Sequence, residues 1–143
     1  MKQAVLAFAL FLMGCAGPAP QTYTGKDALY QELGRSEGIT KVVDLFFQRI
    51  NADARINTLF RNVDHNDLRR LVIEQICAAS GGPCTYTGRS MEEAHSGLNL
   101  TNKDFDNFVG DLVTAMDEAK VPKSTQKKLL AIFGPMRPQV VGQ

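Results

Sequence analysis

The chain has 143 residues, 16 Lys+Arg against 15 Asp+Glu and a formal charge of +1, a size that suits one domain around one core. No tryptophan is present, aromatic residues make up 8% of the chain, and no Lys/Arg run exceeds two residues. That balance excludes a surface built for nucleic acid or for anionic lipid headgroups.

The first segment, "MKQAVLAFALFLMGCAG", carries Lys2, an apolar run from Ala4 to Met13 and then small residues. It is too short to span a bilayer and has the layout of a secretory signal. Its end, Leu12-Met13-Gly14-Cys15, resembles the bacterial lipobox, which implies removal of residues 1–14 and lipidation of Cys15. An ordinary signal cut at another small residue is the alternative. Ala16 rather than Asp after the cysteine implies, by the same resemblance, an outer-membrane lipoprotein on the periplasmic side. Residues 15–27 are expected to be a flexible tether, so the lipid would be the sole membrane contact.

Helical periodicity then dominates, and no strand pattern is found. In "GITKVVDLFFQRINAD" the residues Ile39, Val42, Val43, Phe46, Phe47 and Ile50 recur at helical spacing. "ARINTLF" is a short turn contributing Ile56, Leu59 and Phe60. The next helix is expected to start at the N-cap Asp64 and to present Leu68, Leu71, Val72, Gln75, Ile76 and Ala79 on one face. Gly81 and Pro83 stop it. Cys77 and Cys84 flank this Gly-Pro loop and either close a disulfide in an oxidising compartment or remain a buried and a loose thiol.

Beyond the loop, Thr101 and Asp104 form a capping-box-like start for a helix with Phe105, Phe108, Val109, Leu112, Val113 and Met116 in a stripe. Pro122 breaks the chain, "STQKKLLAIFGPM" supplies a last helix, and residues 137–143 are expected to be a loose tail. The class is all-α, with four substantial helices, several short ones and no internal repeat.

The chain has two histidines, His65 and His95. Neither sits in an HxxxH, HExxH or CxxCH arrangement, so zinc chelation by paired histidines and covalent haem attachment are both excluded. "LYQELG" (29–34), Val42-Val43-Asp44 running into Phe46-Phe47, Leu59-Phe60, "GGPCTYTG" (81–88) and "MEEAHSGLNLTNKDFD" (91–106) occur in this order. Together they resemble a truncated haemoglobin of group I, from Leu29 to about Phe133. The resemblance implies a globin domain over 28–136: a two-over-two helical sandwich enclosing non-covalent haem b, with His95 as the proximal iron ligand. It also implies cofactor contacts from Phe60, Leu68, Ile76, Tyr86, Met91, Leu100 and Phe105. Tyr86 either meets the haem edge or a propionate, or braces its loop.

On the distal side the chain departs from that pattern. Phe47 stands where such proteins commonly carry tyrosine, and the residues expected over the iron, Leu68 and Val72, cannot donate a hydrogen bond. Gln75, one turn beyond Val72, is either a replacement donor or a flank residue. His65 is expected as a solvated helix start rather than a second iron ligand. Arg69 and Arg70 either pair with haem propionates or are ordinary charged residues at a helix surface. The expected function is reversible binding of O2, with NO and CO as further ligands. An NO dioxygenase served by a reductase, and a haem-free structural envelope lipoprotein, are the alternatives.

Overall fold

The computed structural model describes residues 21–143; the signal segment, Cys15 and the first part of the expected tether lie outside the described residues. The helices are α1 (Ala28–Glu32), α2 (Arg35–Ala52), α3 (His65–Ala79), α4 (Met91–His95), α5 (Asn102–Glu118), α6 (Lys123–Phe133) and α7 (Arg137–Val140). Short 3-10 turns occur at Asn57–Phe60 and Gly134–Met136.

The helix α2 is the hub, packing on both α3 and α5. Its face Ile39, Val42, Val43, Phe46, Phe47 and Ile50 is buried along its whole length, as the 3.6-residue period requires. It begins three residues before the periodic stretch, because Gly34 takes a left-handed φ of +82° and its carbonyl accepts from the Gly38 amide at 3.0 Å. Gly38 itself faces the Leu33 carbonyl so closely that any Cβ there would collide with it. Leu112, Ala115 and Met116 of α5 and Leu129 of α6 complete the same core. The helix α6 is tied to α1 through Lys128 and Thr125, which reach the Glu32 carboxylate at 2.6 and 3.2 Å.

Helix ends follow local chemistry. Asp64 caps α3 by accepting from the Asn66 and Asp67 amides at 2.9 and 3.1 Å, worth about 1 kcal/mol. Ser90 with Glu93, and Thr101 with Asp104, form reciprocal capping boxes at the starts of α4 and α5. Gly81, at φ +87°, turns the chain out of α3. Cys77 and Cys84 are disulfide-bonded with Cα atoms 5.7 Å apart; closing so short a loop contributes about 2–3 kcal/mol by chain-entropy arithmetic.

The expectation of a loose tail over 137–143 is corrected. Residues Arg137–Val140 form α7, Val140 is buried, and the main chain of Gly142 and Gln143 pairs with Leu100 and Asn99. Pro135 and Pro138 each occupy one of the first two positions of a helical turn, where a proline's missing N–H costs nothing.

A polar patch interrupts the α2–α5 contact. Asp111 is 7% exposed, and its Oδ2 has no hydrogen-bond partner among the described residues. Burial, then the neighbouring Asp53 carboxylate, raises its pKa above the ordinary aspartate value, opposed by Arg55 and Arg49. Asp53, paired with Arg55, titrates at about 2. A carboxyl whose folded pKa is raised favours the fold while protonated, and that contribution is lost as pH rises through the folded pKa. Asp111→Asn should therefore gain stability relative to the parent between pH 4 and pH 7 in urea unfolding. A parent–variant difference that stays constant over that range would contradict this assignment. Asp53 acts oppositely, losing its contribution only as pH falls toward 2, so it does not mask the effect.

Candidate functional site

Two helices leave their apolar faces incompletely covered. On α3 the side chains of Leu68, Leu71 and Val72 are half-buried while Ile76 and Cys77 are buried. On α5 Phe105, Phe108 and Val109 are half-buried, while Leu112, Ala115 and Met116 are buried. The uncovered stretches line a cavity of about 360 Å³ whose walls are chiefly aliphatic and aromatic. Leu59, Val63 and Leu98, the exposed large apolar residues of the described chain, belong to the same lining. A hollow of this size and polarity suits an organic ligand rather than water.

All of the residues expected as cofactor contacts from the sequence, Phe60, Leu68, Ile76, Tyr86, Met91, Leu100 and Phe105, line this cavity, as do Phe47, Val72, Gln75 and His95. Phe60 stacks toward Phe108 with ring centroids 6.5 Å apart, and Phe108 meets the edge of Phe46 at 4.8 Å. These aromatic contacts order the wall from α2 through α5.

His95 ends α4. Its Nδ1 lies 2.7 Å from the Met91 carbonyl one turn earlier and donates its proton there. In the neutral ring this bond sets the tautomer and leaves the lone pair on Nε2. His65 has a different environment: its Nε2 donates to the Phe60 carbonyl at 3.0 Å, the residue is exposed, and it lies outside the cavity lining.

Phe47 of α2 and Leu68 and Val72 of α3 contribute a wall with no hydrogen-bond donor. Gln75 does not remedy this. Its amide nitrogen donates to the thioethers of Met91 at 3.4 Å and Met136 at 3.9 Å, which are weak acceptors, so the amide joins α3 to α4 and to the chain after α6.

Charges around the cavity are distributed unlike the sequence expectation. Arg69 pairs with Asp44 at 2.5 Å. Arg70 is held by Asp67 and Glu74 at 2.6 Å each and by Thr87 at 2.8 Å. Neither lines the cavity; both are engaged as ion-paired charges on the helix surface. The lining carboxylates Asp64, Asp67 and Asp104 are committed to a helix cap, an ion pair and a capping box. Arg89 lines the cavity and has no carboxylate partner among the described residues; its guanidinium donates only to the Glu93 carbonyl among them, at 3.4 Å.

Tyr86 donates its hydroxyl to the Arg89 carbonyl at 2.9 Å, and burial raises its pKa above the ordinary tyrosine value. Its ring crosses Gly88 so closely that a Cβ there would meet Cε2 at 2.8 Å and the outer ring atoms closer still. Tyr86 therefore braces the loop that presents Arg89.

Several lining residues were not anticipated from sequence as site residues: Arg89, Leu98, Met136 and Val140. Met136 and Val140 are four apart, a helical spacing that was available as a signal, but two prolines lay beside it. For Arg89 and Leu98 local sequence carries no such signal, because both lie on irregular segments.

A family model described as bacterial-like globin matches residues 28–141, which includes α7. The chain is 32% identical over 113 residues to a group 1 truncated haemoglobin of Mycolicibacterium paratuberculosis, covering 79% of this chain and 83% of that relative. It is 33% identical over 110 residues to one of Synechocystis, covering 74% of this chain and 89% of that relative. Among solved structures, the truncated haemoglobin of Tetrahymena pyriformis in its Fe(III) form superposes with a TM-score of 0.78 at 28% identity, covering 80% of this chain and 98% of that one. The 2/2 haemoglobin of Synechococcus, solved with covalently attached haem, gives 0.74 at 28% identity, covering 79% of this chain and 97% of that one. The chain therefore belongs to the bacterial-like globin family, among the group 1 truncated haemoglobins, and has their two-over-two helical fold.

Proposed function

We propose that this globin holds haem b non-covalently with His95 as the iron ligand, and that it reversibly binds a diatomic gas, O2 or NO, at the cell envelope. The observation that carries the reading is the His95 tautomer: Nδ1 is engaged by the Met91 carbonyl at 2.7 Å, so Nε2 is the electron-pair donor on the wall of an apolar cavity. When bound, haem would supply an iron that His95 would hold and that could take up a small gas.

The chain's residues fit that group. Leu68, Val72, Phe105 and Phe108 offer apolar contact to a macrocycle, and Arg89 offers a guanidinium without a carboxylate partner among the described residues to a carboxylate-bearing edge. Leu59, Val63 and Leu98 are exposed at the cavity and would be covered by an apolar ligand rim. The lack of a CxxCH motif supports a non-covalent mode, since that route of thioether attachment is closed.

The distal residues favour binding over oxygen activation. Cleaving an O–O bond calls for polar groups beside the gas, and Phe47, Leu68 and Val72 supply none. NO depends less on a hydrogen-bond donor than O2 does, so both gases remain within the reading.

Envelope placement rests on the lipobox-like Leu12-Met13-Gly14-Cys15 together with the Cys77–Cys84 bridge, which suits an oxidising compartment. No helix among the described residues is long and apolar enough to cross a membrane, so the lipid on Cys15 would be the anchor.

Absorption spectra of the hemin-supplemented protein in ferric, ferrous and CO-bound states test the haem assignment. The expected result is a Soret band in the ferric state that shifts on reduction and again on CO addition. A protein that stays colourless with hemin overturns the reading. Saturable NO binding without consumption supports a carrier or scavenger, whereas steady NO consumption with a reductant present would replace it with a dioxygenase.

A further inference from the structure

The helix that carries His95 has five residues, too few to persist on its own hydrogen bonds. Its capping box anchors only its start. It packs chiefly on α7, the helix formed by the segment that sequence alone suggested was loose.

That segment grips the chain on both sides of His95's exit. After His95 the chain runs irregularly to Thr101, with Asn99 in a left-handed conformation at φ +50°. Two main-chain bonds hold this link to the C-terminal stretch: the Asn99 amide donates to the Gln143 main-chain oxygen at 2.8 Å, and the Gly142 amide donates to the Leu100 carbonyl at 2.9 Å. Beyond the link, Arg137 engages the first turns of α5. Its guanidinium lies 4.3 Å from the centroid of the Phe105 ring, pairs with Asp106 at 2.5 Å, and donates to the Asn102 side-chain and main-chain oxygens at 3.1 and 3.4 Å. A planar cation stacked on a ring and forked onto oxygens is held in one orientation. Met136 and Val140, either side of Arg137, line the cavity themselves.

We infer that residues 136–143 form a clamp that places His95, and that Arg137 is a positioning residue for the imidazole. The inference rests on the reading of His95 as the haem ligand. The clamp supplies from outside the rigidity that a single-turn helix lacks, so the strength and direction of the His95–iron bond depend on contacts more than forty residues away in sequence.

The full chain, loaded with hemin, is compared with its Arg137→Gln and Gly142→Pro variants. The second removes an amide donor and is incompatible with that residue's φ of +76°. Hemin transfer to a scavenger apoglobin is expected to accelerate about 10–100-fold in both, the range typical of groups that orient a metal ligand. The iron–histidine stretching band of the ferrous protein is expected to broaden and move. In the hemin-free chains, amide exchange should quicken over residues 91–100 while α2 stays protected. Should either variant fail to fold, Asp106→Asn, at an exposed position, removes the ion pair alone and is expected to move the same band. Transfer rates within twofold of the parent with an unmoved band overturn the clamp while leaving haem ligation intact. Exchange quickened equally in α2 also overturns it, since α7 would then serve global packing. A parent that takes up no hemin overturns the ligand assignment and the clamp together.

Discussion

Replacing His95 by glycine is expected to abolish the parent's ferrous and CO-bound spectra and to raise the rate of hemin loss. The loss should exceed the roughly 10–100-fold typical of changes that merely disturb a ligand's orientation, because the coordinating atom itself is removed. The fold should survive the change. His95 is at the last position of a five-residue helix and half-buried, and its one side-chain hydrogen bond is to Met91 within the same turn. Added imidazole should restore a five-coordinate or six-coordinate spectrum, since the cavity remains. His65→Ala serves as the control and should leave the spectra unchanged, because that ring is bound to the Phe60 carbonyl. An unaltered optical fingerprint in His95→Gly would remove the basis of the proposed function.

Phe47→Tyr is expected to slow O2 dissociation. In the parent no group on the Phe47–Leu68–Val72 wall can donate to a gas that becomes polarised in the cavity. A hydroxyl added there gains one hydrogen bond in an apolar setting, worth about 1–3 kcal/mol, or roughly a 5–150-fold slower off-rate. CO, which is less polarised, should respond much less. Stopped-flow dissociation of both gases from parent and variant measures the contrast. A parental O2 rate that is already slow and does not change in Phe47→Tyr would mean that another donor reaches the gas. Gln75 would then be the residue to replace next, since its present acceptors are two thioethers and thus exchangeable for a better one.

The two predictions draw on different kinds of legibility. That residue 95 should be the ligand is implied by the family resemblance, carried by five ordered pieces that include "MEEAHSGLNLTNKDFD"; the residues around it, read alone, show only a single histidine at the end of a short helical patch. The vacancy of donors on the distal wall is also legible, because Phe47, Leu68 and Val72 sit at helical positions whose facing direction follows from periodicity. Gln75 shows the limit of that reasoning. Its place on the α3 face is periodic, but the direction of its amide is set by Met91 and Met136, which lie 16 and 61 residues away in the chain.

The arginines teach the same lesson with charge. Arg69 and Arg70 are on the helix expected to cover the ligand, yet Asp44 from α2 and Thr87 from the loop meet them in space. Arg89, on an irregular loop, is the guanidinium that reaches the cavity without a carboxylate partner among the described residues. Arg70's two carboxylate partners lie three and four residues away on its own helix, whereas the Arg69–Asp44 pair depends on which segments meet, and a linear sequence does not carry that information.

What this chain's sequence determines by itself is whatever depends on neighbours within about one helical turn: the existence of α2, α3, α5 and α6, the caps at Asp64 and Thr101, and the apolar stripes. The tertiary structure decided the rest: that α7 exists, that its segment grips both sides of His95, that Gln75 turns to sulfur, and that Arg89 rather than Arg69 or Arg70 faces the cavity. The physical reason is that helix formation is governed by hydrogen bonds and side-chain spacing four residues apart. The fate of a polar or charged group is governed by whichever distant segment the packed core brings against it.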